Sequence, residues 1–196
     1  MNYGEELTYW YLRLNGFFPI SNFVVHKSQS VLYSSDVDLL AVRPPYVFEE
    51  IGGRPEDWDE YLTENLDFGR QVGLICEVKT GRFKEARIFR AEQLHYTLPR
   101  LGLVAQKEVE QILETLKMSP SINIGGATIA KLFISEAEHT NGPYLNRTLQ
   151  QIEDFLADRV RRYPLEKYAD RMFFPSHTFQ FIIAQVYRSI EKRKTG

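Results

Sequence analysis

The apolar residues of this chain recur at two spacings that alternate along the sequence. Spacings of three and four residues are typical of helices with one buried face, and they predict helices at residues 3–15, 83–98, 105–117, 144–163 and 176–192. Runs of branched and aromatic residues predict strands at residues 17–27, 31–42, 74–80 and 127–135. Helices and strands in this mixed order indicate an α/β domain.

Turn residues divide these elements. A polar turn at Ser28-Gln29-Ser30 predicts an antiparallel hairpin, and Pro44-Pro45 ends its second strand because proline cannot donate to a sheet ladder. An acidic insertion follows at residues 44–71, within which residues 55–62 are expected to form a short helix. The insertion could exclude nucleic acid from one side or bind a partner, and the sequence does not choose between these roles.

Ionisable residues interrupt two of the predicted strands. Glu77 and Lys79 share a face because strand side chains alternate, and Asp38 lies between Val37 and Leu39. Charges in such a half-buried setting cost several kcal/mol unless they are paired or bound to a cation, so these residues predict a functional site. Asp36 points to the same face as Asp38, and we expect it to be exposed rather than a ligand.

These residues stand in an order that resembles the PD-(D/E)XK superfamily of nucleases, whose members share the restriction-endonuclease-like fold. The similarity to small Holliday-junction-resolvase-like members covers residues 4 to about 100 and rests on Gly4-Glu5, Tyr11-Leu12, Gly16-Phe17, Asn22-Phe23, Asp36-Val37-Asp38-Leu39 and Glu77-Val78-Lys79. The resemblance implies a mixed central sheet flanked by helices. The nuclease-like core would span residues 1–136, and residues 137–196 would form a helical extension packed on it.

The same resemblance implies a metal-dependent endonuclease that hydrolyses DNA phosphodiester bonds. Mg²⁺, or Mn²⁺ in its place, would be held by Asp38, Glu77 and the backbone carbonyl of Val78, with Glu5 bound directly or through water. Lys79 would position the attacking water or stabilise the charge that develops on the phosphate.

Two helical positions are further candidates for that site. The resemblance places a glutamine on the helix after the Glu-x-Lys strand, and Gln93 is the candidate, although helical glutamines are more often solvated. Glu6 is the fallback for Glu5, and both lie in a first turn, where the helix dipole favours carboxylates regardless of function.

The net charge of −2 conceals an uneven distribution. Residues 44–71 hold eight acidic and two basic residues, whereas residues 82–196 hold eighteen basic and thirteen acidic ones. Four basic residues that follow Lys79 are candidates for contacts with DNA phosphates: Arg82, Lys84, Arg87 and Arg90. Charge alone favours a solvated helix face for them. RNA as a substrate stays open, and nucleases of this fold often pair, so a homodimer is among the expected states.

Composition also bears on the cellular compartment and on other kinds of binding site. A single cysteine, Cys76, cannot form an intrachain disulfide and is expected in the core, which favours a reducing, cytoplasmic setting. The pattern has no secretory signal and no apolar run of about 18 residues, so we expect neither secretion nor membrane insertion. The four histidines lack the spacing of a zinc site, and Gly125-Gly126 predicts a turn rather than a phosphate loop.

Three interpretations therefore stay open. The first is the metal-dependent endonuclease, and the second is a nucleic-acid-binding or assembly protein that keeps the fold without cleavage. The third is a plain α/β domain in which Glu77 and Lys79 form a surface pair of little energetic weight. Metal binding separates the first from the third, and cleavage separates the first from the second.

Overall fold

The computed structural model describes residues 2–25, 35–48, 55–139, 142–163 and 177–194. These contain a six-stranded sheet with strands β1 (Phe18–Val25), β2 (Ser35–Arg43), β3 (Gln71–Lys79), β4 (Ser121–Ile124), β5 (Ala127–Ser135) and β6 (Leu145–Thr148). The helices of the described residues are α1 (Tyr3–Leu14), α2 (Glu60–Asn65), α3 (Ala91–Thr97), α4 (Val109–Met118), α5 (Leu149–Arg162) and α6 (His177–Lys194). The predicted α/β class is confirmed.

The sheet is mixed. Strands β1, β2 and β3 form an antiparallel meander, and β5 lies parallel to β3 on its other side. Strand β4 pairs antiparallel with the first half of β5, and β6 pairs parallel with the second half. Helices α3 and α4 lie between β3 and β5 in the sequence, which gives the chain the length that a parallel connection needs.

Each face of the sheet carries its own apolar layer. On one face, residues such as Leu74 and Cys76 pack with the apolar sides of α1, α5 and α6. On the other, residues such as Ile75 and Phe133 pack with α3 and α4. Cys76 is fully buried, as predicted. The alternation of side chains along β3 places Glu77 and Lys79 on the Ile75 face.

Helix α1 is fixed at both ends by local chemistry. Asn2 accepts a hydrogen bond from the Glu5 backbone N–H, and the Glu5 carboxylate accepts one from the Asn2 backbone N–H, which makes a capping box. The helix ends before Gly16, whose φ of +81° is readily reached only by glycine.

Several α-helices begin later than their apolar pattern indicates, and the one expected from residue 105 is a 3₁₀ turn at Gln106–Glu108 followed by α4. The helix expected from residue 83 is a single 3₁₀ turn at Glu85–Arg87, and α3 starts only at Ala91, because Phe89 has a φ of +49° that no α-helix accommodates. The helix expected from residue 144 starts at Leu149, since Thr148 caps it and the preceding four residues form β6.

Strand β4 was not predicted, because its four residues are too few to show alternation. The turn predicted at Gly125-Gly126, directly after this strand, is confirmed. The helix expected at residues 55–62 is a 3₁₀ turn followed by α2, because Asp59 accepts a hydrogen bond from the Tyr61 N–H and caps the helix there. The Ser28–Ser30 turn and the side chain of Asp36 lie outside the described residues.

No helix in the described ranges has both the length and the apolar character needed to cross a membrane.

Candidate active site

Asp38 and Lys79 meet where β2 and β3 end their pairing. The last register pair joins Leu39 to Cys76. Because the strands are antiparallel, the two residues just beyond that pair are Asp38, which precedes Leu39, and Glu77, which follows Cys76. The Asp38 Oδ2 accepts a hydrogen bond of 2.7 Å from the Val78 backbone N–H and one of 2.9 Å from Lys79 Nζ. The carboxylate therefore takes the place of a backbone acceptor at the end of the ladder, which fixes its position against β3.

Glu77 completes a compact ionic cluster. Lys79 Nζ lies 2.8 Å from Glu77 Oε2 and 2.9 Å from Asp38 Oδ2. Side-chain exposure falls from 30% for Lys79 to 17% for Asp38 and 5% for Glu77, so the cluster runs inward from the surface. Both carboxylates contact the same ammonium, so two anionic groups converge on one position beside β2 and β3.

Gln93 reaches the cluster from α3. Its Nε2 donates a hydrogen bond of 2.6 Å to Glu77 Oε1, and the side chain is buried. Both oxygens of Glu77 thus accept a hydrogen bond, one from Gln93 and one from Lys79. The glutamine predicted as a site member lies in direct contact with the predicted carboxylate, which it orients.

The protonation equilibria follow from burial and from the mutual contacts. Burial raises the pKa of Glu77 above its ordinary value, against the opposing pull of Lys79. Burial alone would lower the pKa of Lys79, but the charge of Glu77 and the hydrogen bonds to both carboxylates outweigh it, and its pKa is raised. Lys79 is therefore an ammonium at neutral pH and cannot serve as a proton acceptor there.

The structure places Glu5 in the helix cap. Its carboxylate accepts hydrogen bonds from the backbone and side-chain nitrogens of Asn2. The same turn nevertheless lies against the end of β3, since a Cβ placed on Gly4 would lie 2.5 Å from Thr80 Cγ2 and 3.0 Å from Val78 Cγ1. Glu6, the fallback, accepts a hydrogen bond of 2.7 Å from Thr178 of α6.

A basic groove adjoins the cluster. Lys79, Arg82, Lys84 and Arg87 line an open depression of about 510 Å³ together with Phe83 and Ile88. The two arginines and Lys84 are exposed, and Arg90 is exposed at the residue that precedes α3. Because α3 starts only at Ala91, the predicted phosphate-binding residues lie on a connection that contains one 3₁₀ turn rather than on the face of an α-helix.

The donor set can be compared with the needs of a metal ion. The described residues contain no group of three or more histidines, cysteines and carboxylates arranged around a metal position. Asp38 and Glu77 supply two carboxylates, and the Asp38 Oδ1 has no hydrogen-bond partner among the described residues. Mg²⁺ is commonly held by one or two carboxylates with waters and substrate phosphates, so this pair fits Mg²⁺ bound together with substrate.

No family model, curated protein or solved structure matches this chain.

Buried ionic residues outside the cluster were missed by sequence reasoning. Asp57 and Asp59, expected in an acidic surface insertion, are buried, and Asp59 lies 2.5 Å from Arg147 of β6. Lys131 is buried in the middle of β5. A lysine inside the apolar run of residues 127–135 is the same signal that identified Glu77 and Lys79, and it could have been found in that way.

Proposed function

We propose that this protein is a metal-dependent endonuclease that hydrolyses phosphodiester bonds in DNA. The observation that carries the proposal is the convergence of Asp38, Glu77 and Lys79 at the end of two neighbouring strands, beside a groove lined by cations. An acidic cluster alone would repel a nucleic acid, whereas the groove supplies positive charge where its backbone would lie.

The surroundings of the cluster support the restriction-endonuclease-like form of the α/β fold. The aspartate and the Glu-x-Lys pair lie on adjacent strands, and a strand parallel to the Glu-x-Lys strand follows after helices. This arrangement is compatible with the mixed central sheet that the resemblance implies. Strand β6, which was not predicted, pairs with β5 and leaves the arrangement of β2 and β3 unchanged.

Asp38, Glu77 and the Val78 carbonyl would hold Mg²⁺ or Mn²⁺, with Glu5 contributing through water. When bound, such a metal lowers the pKa of a coordinated water and polarises the phosphate. Gln93 would keep Glu77 in its orientation as a ligand, since a hydrogen bond to a ligating carboxylate fixes its rotamer.

Lys79 has a charge-stabilising role in this proposal. Two carboxylates keep it protonated, so it donates hydrogen bonds to the attacking water or to the phosphate oxygens. Negative charge grows on those oxygens as the transition state forms, and an ammonium at this position stabilises it more than it stabilises the ground state. Arg82, Lys84 and Arg87 would hold the flanking phosphates.

A cleavage assay tests the proposal. Labelled single-stranded, duplex, flap and four-way-junction DNAs, with a matched RNA, are incubated with Mg²⁺, with Mn²⁺ or with a chelator. The variants are Asp38→Asn, which removes the charge and keeps the shape, and the matched control Glu64→Gln on the exposed face of α2.

We expect metal-dependent cutting that is lost in Asp38→Asn and retained in Glu64→Gln, with the panel ranking the substrates. Binding without cutting would instead favour the non-catalytic nucleic-acid-binding or assembly role. Metal-independent cutting, or equal cutting by Asp38→Asn, would overturn the proposal.

A further inference from the structure

Lys131 is a buried cation in the centre of the sheet. Its side chain is 2% exposed, and β5 aligns it with Ile75 of β3. Its Nζ donates a hydrogen bond to the carbonyl oxygen of Leu116, in the last turn of α4. A helix C-terminus attracts positive charge, so this contact explains part of the stability of the ammonium at that position.

The hydrogen bond to α4 leaves the charge of Lys131 without an anionic partner. No carboxylate of the described residues lies within salt-bridge distance of its Nζ. Burial lowers the pKa of Lys131 to about 8, and the amine is therefore largely protonated at neutral pH. An ammonium has three N–H groups, so one that donates a single hydrogen bond retains two that can donate to a ligand.

A cavity lies beside this buried lysine. A pocket of about 320 Å³ is lined by Lys131 and mainly by apolar side chains: Ile88, Phe89, Leu94, Leu116, Pro143 and Tyr144. Glu85 and Lys117 lie among the polar lining residues. This volume is large enough for a small organic molecule, and an apolar lining with few polar groups is typical of small-molecule sites.

The aromatic wall of this pocket is held in an unfavourable backbone conformation. Phe89 has a φ of +49°, which costs a non-glycine residue about 1 kcal/mol. In that conformation its ring is almost fully buried and lies 5.8 Å from the Tyr144 ring and 5.7 Å from Lys131 Nζ. The strain therefore occurs where it places an aromatic face beside the buried cation.

We propose that this pocket binds a small organic carboxylate with an apolar body. The carboxylate would pair with Lys131, and the body would pack against the rings of Phe89 and Tyr144, which line the pocket side by side. The pocket contains no residue of the Asp38, Glu77 and Lys79 cluster and shares the apolar Ile88 with the lining of the basic groove, so the proposal does not depend on the endonuclease.

The lining discriminates against other ligand classes. A ligand cation that pairs with the exposed Glu85 would still meet the charge of Lys131 in a region of low dielectric, where like charges repel strongly. Inorganic phosphate would meet one buried cation and a largely apolar wall, which does not replace its hydration shell. A neutral apolar molecule fits the walls but leaves the ammonium unpaired, whereas a monocarboxylate satisfies both parts of the lining.

Calorimetric titration of the full chain at pH 7 with benzoate and its neutral counterpart benzamide tests this inference. The two probes have nearly the same shape and differ in charge, so the comparison needs no variant. We expect benzoate to bind at least about tenfold more tightly than benzamide, since a charge-assisted hydrogen bond in a largely apolar pocket contributes that factor. Cyclohexanecarboxylate and inorganic phosphate complete the panel, with phosphate expected to bind more weakly than benzoate.

Variants locate the site. Lys131→Met should reduce benzoate affinity by about tenfold or more, whereas the control Lys107→Met, at an exposed position, should leave it unchanged. Equal affinity for benzoate and benzamide would overturn the proposal, as would undetectable binding of both carboxylates, tighter binding of phosphate, or unchanged benzoate affinity in a folded Lys131→Met. Loss of DNA cleavage alone would bear on the endonuclease and not on this pocket.

Discussion

Lys79 Nζ lies 2.9 Å from Asp38 Oδ2, across two neighbouring strands whose pairing ends at these residues. The contact depends on the register of β2 against β3, because a shift by one residue would turn Asp38 to the opposite face. The ionic cluster is thus built by the sheet itself and not by loops.

Replacing Lys79 tests the role of its ammonium. Lys79→Ala should lower the cleavage rate by about 100-fold or more, because a donor aimed at the developing charge is lost, while the sheet stays folded. Single-turnover cleavage and circular dichroism measure the two effects. Cleavage near the wild-type rate in a folded variant would remove Lys79 from the proposed mechanism.

Gln93 offers a test of the metal site that does not change a ligand. Gln93→Ala should weaken Mn²⁺ binding by about tenfold or more, since Glu77 loses the hydrogen bond that orients it. Electron paramagnetic resonance of Mn²⁺ measures the free ion directly. The matched control is Gln111→Ala on the exposed side of α4, and an equal effect of both substitutions would contradict the assignment.

The basic groove should bind phosphates additively. Arg82→Ala and Arg87→Ala should each weaken DNA binding and reduce the slope of log affinity against log salt by about 1, since each releases about one counterion fewer. Fluorescence anisotropy over a range of salt concentrations gives this slope. Lys107→Ala is the control, because it removes an exposed positive charge outside the lining of the groove.

Lys131 should make stability depend on pH in a defined window. Its pKa is about 8 in the folded chain against an ordinary value of 10.5 for a solvated lysine, so between these values the unfolded chain binds one proton more. The free energy of unfolding of the wild type, relative to Lys131→Met, should therefore rise by up to about 3 kcal/mol as the pH increases across this window. Chemical denaturation at several pH values measures this difference. A difference that is flat over the window would show that the amine titrates alike in both states.

Asp59 joins the insertion to the rest of the protein. It accepts hydrogen bonds from the Tyr11 hydroxyl at 2.8 Å and from Arg147 at 2.5 Å, and it caps α2. Asp59→Ala should destabilise the protein by about 3 kcal/mol, because it leaves the Arg147 charge unpaired and removes the cap. Thermal unfolding measures the effect, and the exposed neighbour Glu60→Ala should change it by no more than about 0.5 kcal/mol.

The sequence was sufficient where a local pattern has only one structural solution. Alternation along Leu74–Lys79 predicts which side chains share a face, and Ala127–Ser135 agrees with the observed strand because branched residues continue through it. The approach of Gln93 to Glu77 was predicted through the family resemblance rather than through spacing, since nothing in a helical pattern separates a solvated glutamine from a buried one.

Features decided by tertiary contacts could not be predicted in this way. The positive φ of Phe89 has no signature in a sequence, and it moved the start of α3 to Ala91. Asp57 and Asp59 resemble solvated acids in the sequence because their arginine partners lie about 90 residues or more away along the chain. The four residues of β6 form a strand because they pair with the second half of β5, and no local propensity specifies such a pairing.

Gly4 lies so close to Thr80 that the glycine of the Gly-Glu pair also determines how α1 packs against β3. A methyl group at position 4 would have to displace the threonine or lift the first turn away from the sheet. The first turn of α1 therefore has no room for a side chain at position 4 unless Thr80, the residue after Lys79, moves. Gly4→Ala would accordingly alter the packing of α1 against the end of β3 without touching any charged group.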